Sequence, residues 1–298
     1  MIGKVAGLMT QDIVVDIIKD EDIENLESLG EVDIMSKVME EINISNSKHI
    51  FADSEGNVLD CCSLTRIFTE SFKFGGRLYR TDAHQIKHNN TDRASSRLGI
   101  TIGGLPVVEI DYCNLHATIL CAMEDIKPTK YHGDMYTYVL DSYSSPYAEQ
   151  DRKLIKQAFN IMLNGEDSGK AIKAIQSIIN SQPIGQDKYT IRSGSMVWNM
   201  IYECMPEFHR YFDNPDRIGL RLQRMDSDMA AYICHKFAID SKPIIPVHDS
   251  FIVLDNDGDH LLQTMNKAFK SIVPCARYFP VFMRVESLYF PDEIVIMQ

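Results

Sequence analysis

Apolar residues recur with two different spacings along the chain, and these spacings separate predicted strands from predicted helices. Residues 107–110 form a short, mostly apolar and β-branched run, which is typical of a buried strand, and Asp111 follows where the run ends. From Asn114, a candidate helix N-cap, apolar residues recur at helical spacing through Leu115, Ile119 and Met123. This stretch therefore predicts a strand, a carboxylate and a helix in direct succession.

A second carboxylate stands between two short apolar runs in residues 243–254, where His248, Asp249 and Ser250 interrupt the pattern. The interruption predicts a β-hairpin with Asp249 at its tip. If the hairpin joins the sheet that contains residues 107–110, Asp111 and Asp249 meet at its rim. Such a pair suits two Mg²⁺ ions, with Mn²⁺ as an alternative, because Mg²⁺ usually takes one or two carboxylates together with substrate phosphates. A lone strand-end aspartate is more often a turn residue, so the hypothesis depends on the pair.

The remaining pattern predicts a mixture of helices and strands. Gly75 and Gly76 are expected to let the backbone approach another surface closely, and Gly103 and Gly104 to make a tight turn into the central strand. Residues 1–60 are expected to be mainly helical. Further helices are predicted over 65–72, 151–164, 171–179, 217–237 and 261–272, and one or two closing strands within 278–290.

One predicted helix has an unusual polar face. Arg152, Lys156, Asn160 and Asn164 are spaced four apart before Gly165, so they lie one above another on the same side of the helix. A solvated helix face normally mixes acids with bases, whereas this one has two cations followed by two amides. Two cations one turn apart can span the phosphates of a nucleoside triphosphate, and the amides can meet its sugar and base. An ordinary exposed helix face is the alternative interpretation.

The acidic charge of the chain is concentrated at its N-terminus. The net charge is −12, yet residues 1–60 hold 14 acidic residues and four lysines, and the remaining 238 residues hold 28 acidic and 26 basic residues. The later part can therefore still present a basic channel to nucleic acid. A candidate strip for phosphate-backbone contacts, for which an ordinary surface loop is the alternative, contains Lys73, Arg77, Arg80, Lys87, Arg93 and Arg97.

Composition places the protein in a broad class. Its hydrophobic fraction of 45% and charged fraction of 24% are ordinary for a soluble globular chain. No apolar run approaches the roughly 20 residues of a membrane span, and no basic-then-apolar signal pattern opens the chain, so a cytoplasmic location without membrane contact is expected. The seven cysteines contain no C-x-x-C pair, which disfavours a structural zinc site and favours reduced thiols.

Five short segments follow one another in a specific order. They are Gly76-Arg77-Leu78 with Gln85, Asp111-Tyr112, the series Arg152, Lys156, Asn160 and Asn164, then Gln223 with Asp228, and finally His248-Asp249-Ser250. In residue type and spacing these segments resemble the polymerase domain of family A DNA polymerases and of the related single-subunit phage-type RNA polymerases. The family's counterparts are its T-G-R-L segment, motif A, motif B (R-x3-K-x3-[F/Y/M]-x3-Y-G), its Q-G-x-A-A-D helix, and motif C, which is H-D-E in the DNA enzymes and H-D-S in the RNA enzymes. The resemblance covers roughly residues 70–255.

The resemblance implies an α+β fold, namely a right-hand polymerase with an antiparallel palm sheet, helical fingers and a reduced thumb. The implied regions are a small acidic helical, thumb-like part at 1–70, the first part of the palm with motif A at 71–127, the fingers with motif B at 128–215, and the second part of the palm with motif C at 216–298. A helicase or processivity partner is implied, because residues 1–70 are too few for a proofreading exonuclease and a full thumb. The compact size fits an enzyme of a phage or mobile element.

The resemblance also implies a role for each matched residue. Asp111 and Asp249 would hold two Mg²⁺ ions for attack of a 3′-hydroxyl on an α-phosphate. Arg152 and Lys156 would hold the triphosphate, and the same implied nucleotide site contains Tyr112, His116, Asn160 and Asn164. Arg77, Gln85 and Gln223 would contact a single-stranded or primed DNA template, and His248 would lie near the primer terminus.

Three positions depart from the DNA-polymerase pattern and bear on sugar choice. Family A DNA polymerases exclude a ribose 2′-hydroxyl with a glutamate five residues after the motif A aspartate and with the motif B tyrosine. Here His116 and Asn164 occupy those places, both able to donate to a hydroxyl, and Ser250 replaces the glutamate of motif C. An RNA polymerase or primase is therefore an alternative to a DNA polymerase. From other classes, a two-metal nuclease and a non-catalytic polymerase-like binding module remain alternatives.

Overall fold

The computed structural model of the chain describes residues 9–10, 13–15, 29–69, 71–80, 97–131, 134–143, 149–165, 167–181, 189–212 and 218–298. The strands are β1 (Met9–Thr10), β2 (Ile13–Val15), β3 (Phe51–Ala52), β4 (Val58–Leu59), β5 (Leu64–Thr69), β6 (Ser71–Arg80), β7 (Thr101–Ile102), β8 (Leu105–Tyr112), β9 (Ile245–Val247), β10 (Ser250–Leu254), β11 (Val281–Ser287) and β12 (Glu293–Met297). The helices are α1 (Leu29–Asn46), α2 (Leu115–Met123), α3 (Met135–Asp141), α4 (Glu149–Asn164), α5 (Ser168–Asn180), α6 (Gly194–Cys204), α7 (Ile218–Ile239) and α8 (Gly258–Ile272). The predicted α+β class is confirmed by this mixture of helices and antiparallel sheet.

The chain divides into two compact units. The first contains Met1–Leu115 and Gln223–Gln298, and the second contains His116–Leu222. Both sheets lie in the first unit, and α2 to α6 lie in the second. The residues predicted as fingers, 128–215, fall within the second unit.

The larger sheet is organised around β8. This strand pairs antiparallel with β10 and β11, β11 pairs with β12, and β10 pairs with β9. Gly103 and Gly104 join β7 to β8 with φ angles of 60° and 77°, and two positive φ angles are the pattern of a type I′ hairpin turn. The predicted tight turn into the central strand is therefore confirmed, and β8 extends from that turn to Tyr112.

The two faces of β8 have different surroundings. Side chains alternate along a strand, so Val108, Ile110 and Tyr112 share one face, and Glu109 and Asp111 share the other. On the first face the Tyr112 hydroxyl donates to the Met265 carbonyl oxygen of α8 at 2.6 Å. Helix α8 therefore packs on the face opposite to Asp111, and burial between this helix and the sheet forms part of the core.

The smaller sheet has the order β1-β2-β5-β6, with β2 parallel to β5 and the other pairs antiparallel. Gly75 and Gly76 on β6 have φ angles of 72° and 84°, which favour glycine. The Gly75 carbonyl oxygen accepts from the Ser227 hydroxyl of α7 at 2.8 Å, and the Gly76 carbonyl oxygen accepts from Arg66 Nε at 2.8 Å. The predicted close backbone approach at the paired glycines is therefore confirmed.

We expect Gly76→Ala to lower the free energy of unfolding by about 2–5 kcal/mol. A Cβ atom at residue 76 would lie 2.7 Å from a Phe68 ring carbon and 2.9 Å from the Ser227 hydroxyl oxygen. Overpacking of this kind costs about 1–3 kcal/mol, in addition to about 1–2 kcal/mol for a left-handed backbone. Urea unfolding measures the difference. Gly56→Ala is the control, because its φ is 86° with nothing within 4 Å of the added atom; equal losses in the two variants would contradict the steric explanation.

Two local predictions were wrong. Residues 65–69 and 71–72, within the predicted helix 65–72, lie in β5 and at the start of β6, because pairing with neighbouring strands overrides a short apolar spacing that fits both structures. The mainly helical character of residues 1–60 stays a prediction, because residues 1–8, 11–12 and 16–28 lie outside the described residues; of the others, Leu29–Asn46 form α1. Asn114 directly precedes α2, but its φ of 52° is left-handed instead of the extended backbone of an N-cap. Asparagine tolerates this conformation better than most residues.

The later helices follow the predicted apolar stripes. The predicted ranges 151–164, 171–179, 217–237 and 261–272 correspond to α4, α5, α7 and α8 within one to three residues at each end. The predicted range 278–290 contains one strand, β11, whereas β12 lies beyond that range and was not predicted. In the part of the chain that the structure describes, no helix is both long and apolar enough to cross a membrane.

Candidate active site

The loop between β9 and β10 consists of His248 and Asp249. Val247 pairs with Ser250, so these two residues alone connect the strands. His248 has a φ of 60° and Asp249 has a negative φ, which is the pattern of a type II′ turn. The predicted hairpin with Asp249 at its tip is confirmed. A histidine with a positive φ is uncommon, and this backbone conformation costs free energy. Strained residues of this kind are concentrated at functional sites.

The same hairpin pairs with β8 in a register that sets Ser250 opposite Asp111. The backbone N–H of Tyr112 donates to the Asp249 carbonyl oxygen, with 3.2 Å between nitrogen and oxygen. Asp249 therefore directly precedes the residue that pairs with Asp111. Both aspartates are partly exposed. Two aspartates from distant parts of the sequence lie at one end of the same strand pair.

A buried glutamate that sequence reasoning missed lies on the same face of β8. Glu109 is 3% exposed and stands two residues before Asp111. Its Oε1 atom lies 2.8 Å from Nη2 of Arg97 and also accepts from the Ser250 hydroxyl. This network ties β10 to β8 directly beside the two aspartates. An acidic residue inside the apolar run 107–110 was the signal that could have identified it.

Arg77, predicted to contact nucleic acid, is paired with a buried carboxylate. Its Nε and Nη2 atoms lie 3.2 Å and 2.9 Å from Oδ2 of Asp226 on α7, and Asp226 is 2% exposed. This pair orients the guanidinium group, which has five N–H donors. Asp226 was not identified from the sequence, because its position in a helix does not reveal its partner.

His248 is influenced by the same charged groups. Partial loss of hydration and the Arg77 guanidinium lower the pKa of His248, whereas the Asp249 and Asp226 carboxylates act in the opposite direction. The imidazole is therefore neutral near pH 7 and can donate or accept a hydrogen bond. Its ring also meets the Tyr79 ring edge-on, with 5.9 Å between centroids.

The remaining predicted residues of the first unit have different environments. Gln223 lies beside the β6 glycines, since a Cβ at Gly75 would be 3.6 Å from its Oε1 atom. The Tyr112 side chain is 2% exposed and bonded to the Met265 carbonyl, and burial raises the pKa of its hydroxyl well above the usual value. The Tyr112 hydroxyl is therefore not accessible for the predicted contact with a nucleotide. Gln85 lies outside the described residues, as do Lys87 and Arg93 of the basic strip.

The donor chemistry of Asp111 and Asp249 can be compared with what a metal ion needs. Across the described ranges, no group of three or more histidine, cysteine, aspartate or glutamate side chains is arranged to hold an ion. Mg²⁺ does not require such a cage, because it commonly takes one or two carboxylates and completes its shell with water and phosphate oxygens. Two partly exposed carboxylates, one on β8 and one in the loop before β10, therefore fit Mg²⁺ better than a structural zinc ion.

The polar face of α4 belongs to the second unit. Arg152 and Asn160 are partly exposed, and Lys156 and Asn164 are exposed. Arg152 Nε lies 2.6 Å from Oδ2 of Asp134, whereas Lys156 has no ion pair with any residue that the structure describes. The Asn164 amide donates to the Asn160 carbonyl oxygen at 2.7 Å. Among the described residues, the Arg152 guanidinium is held by an ion pair, whereas the Lys156 ammonium group is available to a ligand. His116 lies in the first turn of α2 and is partly exposed.

Asp134 performs two structural tasks. Its side chain caps α3 by accepting from the backbone N–H groups of Tyr136 and Thr137, and it pairs with Arg152. Burial raises the pKa of Asp134, but the Arg152 contact and the hydrogen bonds from Thr137 outweigh burial, so the pKa is lowered. The carboxylate therefore stabilises the folded state at neutral pH. That contribution is present above the unfolded-state value of about 3.9 and is lost as the pH falls through the lower folded-state value.

We expect Asp134→Asn to lower the free energy of unfolding by about 1–2 kcal/mol near pH 7, because asparagine can cap the helix but cannot pair with Arg152. The difference from the wild type should narrow below about pH 4, where the wild-type carboxyl takes up a proton. Urea unfolding at a series of pH values measures both effects. Asp167→Asn is the control, because Asp167 caps α5 without an ion pair among the described residues. A deficit of Asp134→Asn that is independent of pH would contradict the ionic explanation.

Comparison with known proteins gives structural similarities but no sequence match. No protein-family model matches the chain, and no curated protein matches it. Among solved structures, the fold is similar to the POL domain of Pol1 from M. smegmatis, determined in complex with DNA primer-template and dNTP. The TM-score is 0.49 at 14% sequence identity, and the match covers 78% of this chain and 48% of that chain. The chain thus spans about half the length of that structure.

Proposed function

We propose that the protein is a template-directed nucleic-acid polymerase, which transfers a nucleotide from a nucleoside triphosphate to a 3′-hydroxyl. The observation that carries the proposal is the antiparallel pairing of β8 with β10, in which Ser250 is opposite Asp111. Asp111 and Asp249 belong to segments that resemble polymerase motifs A and C. Their position at the same end of this strand pair supports the proposal, because two-metal phosphoryl transfer needs carboxylates close enough to hold both ions.

In this proposal Asp111 and Asp249 hold two Mg²⁺ ions, and Mn²⁺ accepts the same oxygen donors. The bound ions would activate the attacking 3′-hydroxyl and neutralise negative charge on the α-phosphate. The protein's own contribution is to keep the two carboxylates at a constant separation. The hydrogen bond from Ser250 to Glu109, together with the Arg97–Glu109 ion pair, supports this role because it joins the two strands beside the aspartates.

Arg152 and Lys156 bind the triphosphate in the proposed mechanism. Arg152 is held by Asp134, so its guanidinium is oriented before nucleotide arrives. Lys156 is exposed and unpaired among the described residues, so it can bind a phosphate oxygen without first losing another ion pair. Asn160 and Asn164 extend the same face and can meet the sugar or base.

Three residues of the first unit serve the primer-template in this proposal. Arg77 has donors beyond those that Asp226 accepts, and these can contact a base edge or a phosphate. Gln223 lies beside the glycine turn of β6, and its side-chain amide can both donate and accept. Neutral His248, in the loop with Asp249, can donate to the primer terminus.

Synthesis of RNA is the second candidate, and Ser250 favours it. The residue corresponds to the serine of the H-D-S sequence in the RNA enzymes, and its hydroxyl already has a partner in Glu109. His116 and Asn164 stand where the DNA enzymes exclude a ribose 2′-hydroxyl, and both can form a hydrogen bond with that hydroxyl. We therefore expect weak discrimination between dNTP and NTP, which makes priming with ribonucleotides part of the proposal.

An activity screen tests the proposed function. The full chain is incubated with Mg²⁺ and labelled dNTPs or NTPs, on single-stranded DNA that is either primed or unprimed, and the products are separated by length. Extension that copies the template supports a polymerase, and extension of unprimed DNA with NTPs supports a primase. Shortened DNA without extension would identify a nuclease instead. Absence of any reaction combined with binding of DNA would identify a non-catalytic module, and both latter outcomes contradict the proposal.

A further inference from the structure

A second concave surface lies in the first unit, on the face of the larger sheet that is opposite to Asp111. It is a groove of about 780 Å³, within the range of about 300–1,000 Å³ typical of ligand sites. Its floor includes Val108 and Ile110 of β8 and Val285 of β11. Val108 and Ile110 alternate with Glu109 and Asp111 along β8, and Val285 pairs with Ile110, so the groove lies on the face of the sheet opposite to Asp111.

The rim of this groove is acidic. The ionisable residues that line it are Asp255 and Asp259 beside the start of α8 and Glu293 at the start of β12, and all three are exposed. No lysine or arginine is among its lining residues in the part of the chain that the structure describes. A ligand that enters this apolar groove therefore meets negative charge at the edges, which favours a cationic partner.

The side of the groove formed by β12 has unpaired backbone and exposed apolar side chains. Within the described residues β12 pairs with β11 alone, so its other edge has no strand partner. Val295 and Met297 point into the groove, whereas Ile294 and Ile296 on the alternate face are 52% and 54% exposed. Phe290, in the turn before β12, lines the groove and is 63% exposed. An exposed apolar edge strand is a template for addition of another strand.

We propose that this groove binds an extended segment of a partner protein, in which alternating apolar residues are flanked by lysine or arginine. The segment pairs with the edge of β12, so that one set of its side chains packs beside Val295 and Met297 at the β12 side of the groove and the other set covers Ile294 and Ile296. Its flanking cations meet Asp255, Asp259 and Glu293. This mode explains the groove, the exposed isoleucines and the acidic rim together, and it does not depend on the proposed polymerase activity.

The charge of the rim argues against other occupants. The phosphates of a nucleic acid would be repelled by three exposed carboxylates. A second copy of the chain has a net charge of −12 and would bring like charges together in a symmetric contact. The chain's own residues 20–27 contain five acidic residues and no basic residue, so the same repulsion disfavours them.

Binding of a defined probe tests this proposal. The probe is a fluorescent nonapeptide of alternating valine and threonine with two lysines at each end, and the control peptide has glutamate in place of each lysine. Fluorescence anisotropy with the full chain should give micromolar affinity for the lysine peptide that weakens with added salt. The double variant Asp259→Lys with Glu293→Lys should weaken binding about fivefold or more. Asp33→Lys with Glu40→Lys, which reverses two exposed acids of α1, should leave it unchanged.

Hydrogen exchange locates the bound peptide. Backbone amides of β12 should become protected when the lysine peptide binds, and Ile296→Thr should weaken binding about threefold without changing the melting temperature. Equal affinity for the two peptides, or equal weakening by the two double variants, would overturn the charge argument. Binding that protects residues elsewhere but leaves β12 unprotected would overturn the site. Dimerisation without peptide that is lost in Ile296→Thr would identify a second copy as the occupant and also overturn the proposal.

Discussion

Asp249→Asn is expected to reduce nucleotide incorporation by about 1,000-fold or more, which corresponds to about 4 kcal/mol of transition-state stabilisation. Asparagine keeps the size of the side chain and tolerates turn positions, so the β9–β10 hairpin should form as before. The substitution removes the negative charge of the Asp249 side chain, which directly precedes the Ser250–Asp111 pair. Asp111→Asn should have a similar effect, and the double variant should lose little more, because the two carboxylates act as one unit.

Product formation per enzyme, measured with Mg²⁺ at saturating nucleotide, gives the size of this effect. Mn²⁺ binding followed by electron paramagnetic resonance gives a second readout that does not depend on turnover, and each variant should bind the ion more weakly. Asp33→Asn, an exposed aspartate on α1, is the control and should retain wild-type activity. Incorporation that persists at the wild-type rate in Asp249→Asn would refute the proposed active site.

Lys156→Ala is expected to raise the KM for nucleoside triphosphate by about 10- to 100-fold, because a charge-assisted bond to phosphate contributes about 1.5–3 kcal/mol. The side chain is exposed and has no ion pair among the described residues, so its removal should leave the free energy of unfolding almost unchanged. The KM for primed DNA should be unaffected. The effect is therefore a loss of nucleotide affinity rather than of folding.

Lys173→Ala is the matched control for Lys156→Ala. Lys173 is also an exposed lysine of the second unit, but it lies on α5 and not on the α4 face that Arg152 and Lys156 share. It should retain the wild-type KM. The pair of variants also separates reaction classes, since a nuclease has no need of a triphosphate-binding face. Equal behaviour of the two variants would count against the assigned role of α4.

Local patterns were sufficient to predict much of the architecture. The strand before Asp111, the hairpin around Asp249 and the close approach of Gly75 and Gly76 all follow from residue types within a few positions. The error at 65–72 has the same origin, because Phe68 and Phe72 are four apart and fit a helix, yet the pairing of β5 with β6 decides that both are strands. Local spacing cannot distinguish these cases when an apolar stretch is short.

The candidate site was predicted less completely than the fold. Asp111 and Asp249 were identified because each interrupts an apolar run, and the α4 face was identified from its four-residue spacing. Glu109 and Asp226 were missed, because their partners Arg97 and Arg77 lie outside the local pattern of the strand and of the helix that contain them. The burial of Tyr112 was also unforeseen, since a tyrosine at a strand end can face either the core or the solvent.

The sequence by itself determined the kinds of elements, the turns and the order of the motif-like segments, because periodicity and turn chemistry act over a few residues. Only the tertiary structure decided that Ser250 stands opposite Asp111 and that Glu109 is buried beside them. The physical reason is strand register. A shift of β10 by one residue relative to β8 would turn the Ser250 side chain away from the face that contains Glu109 and Asp111. Helix α8 packs on β8 and β11 pairs with it, and the residues of both lie far from β8 in the chain.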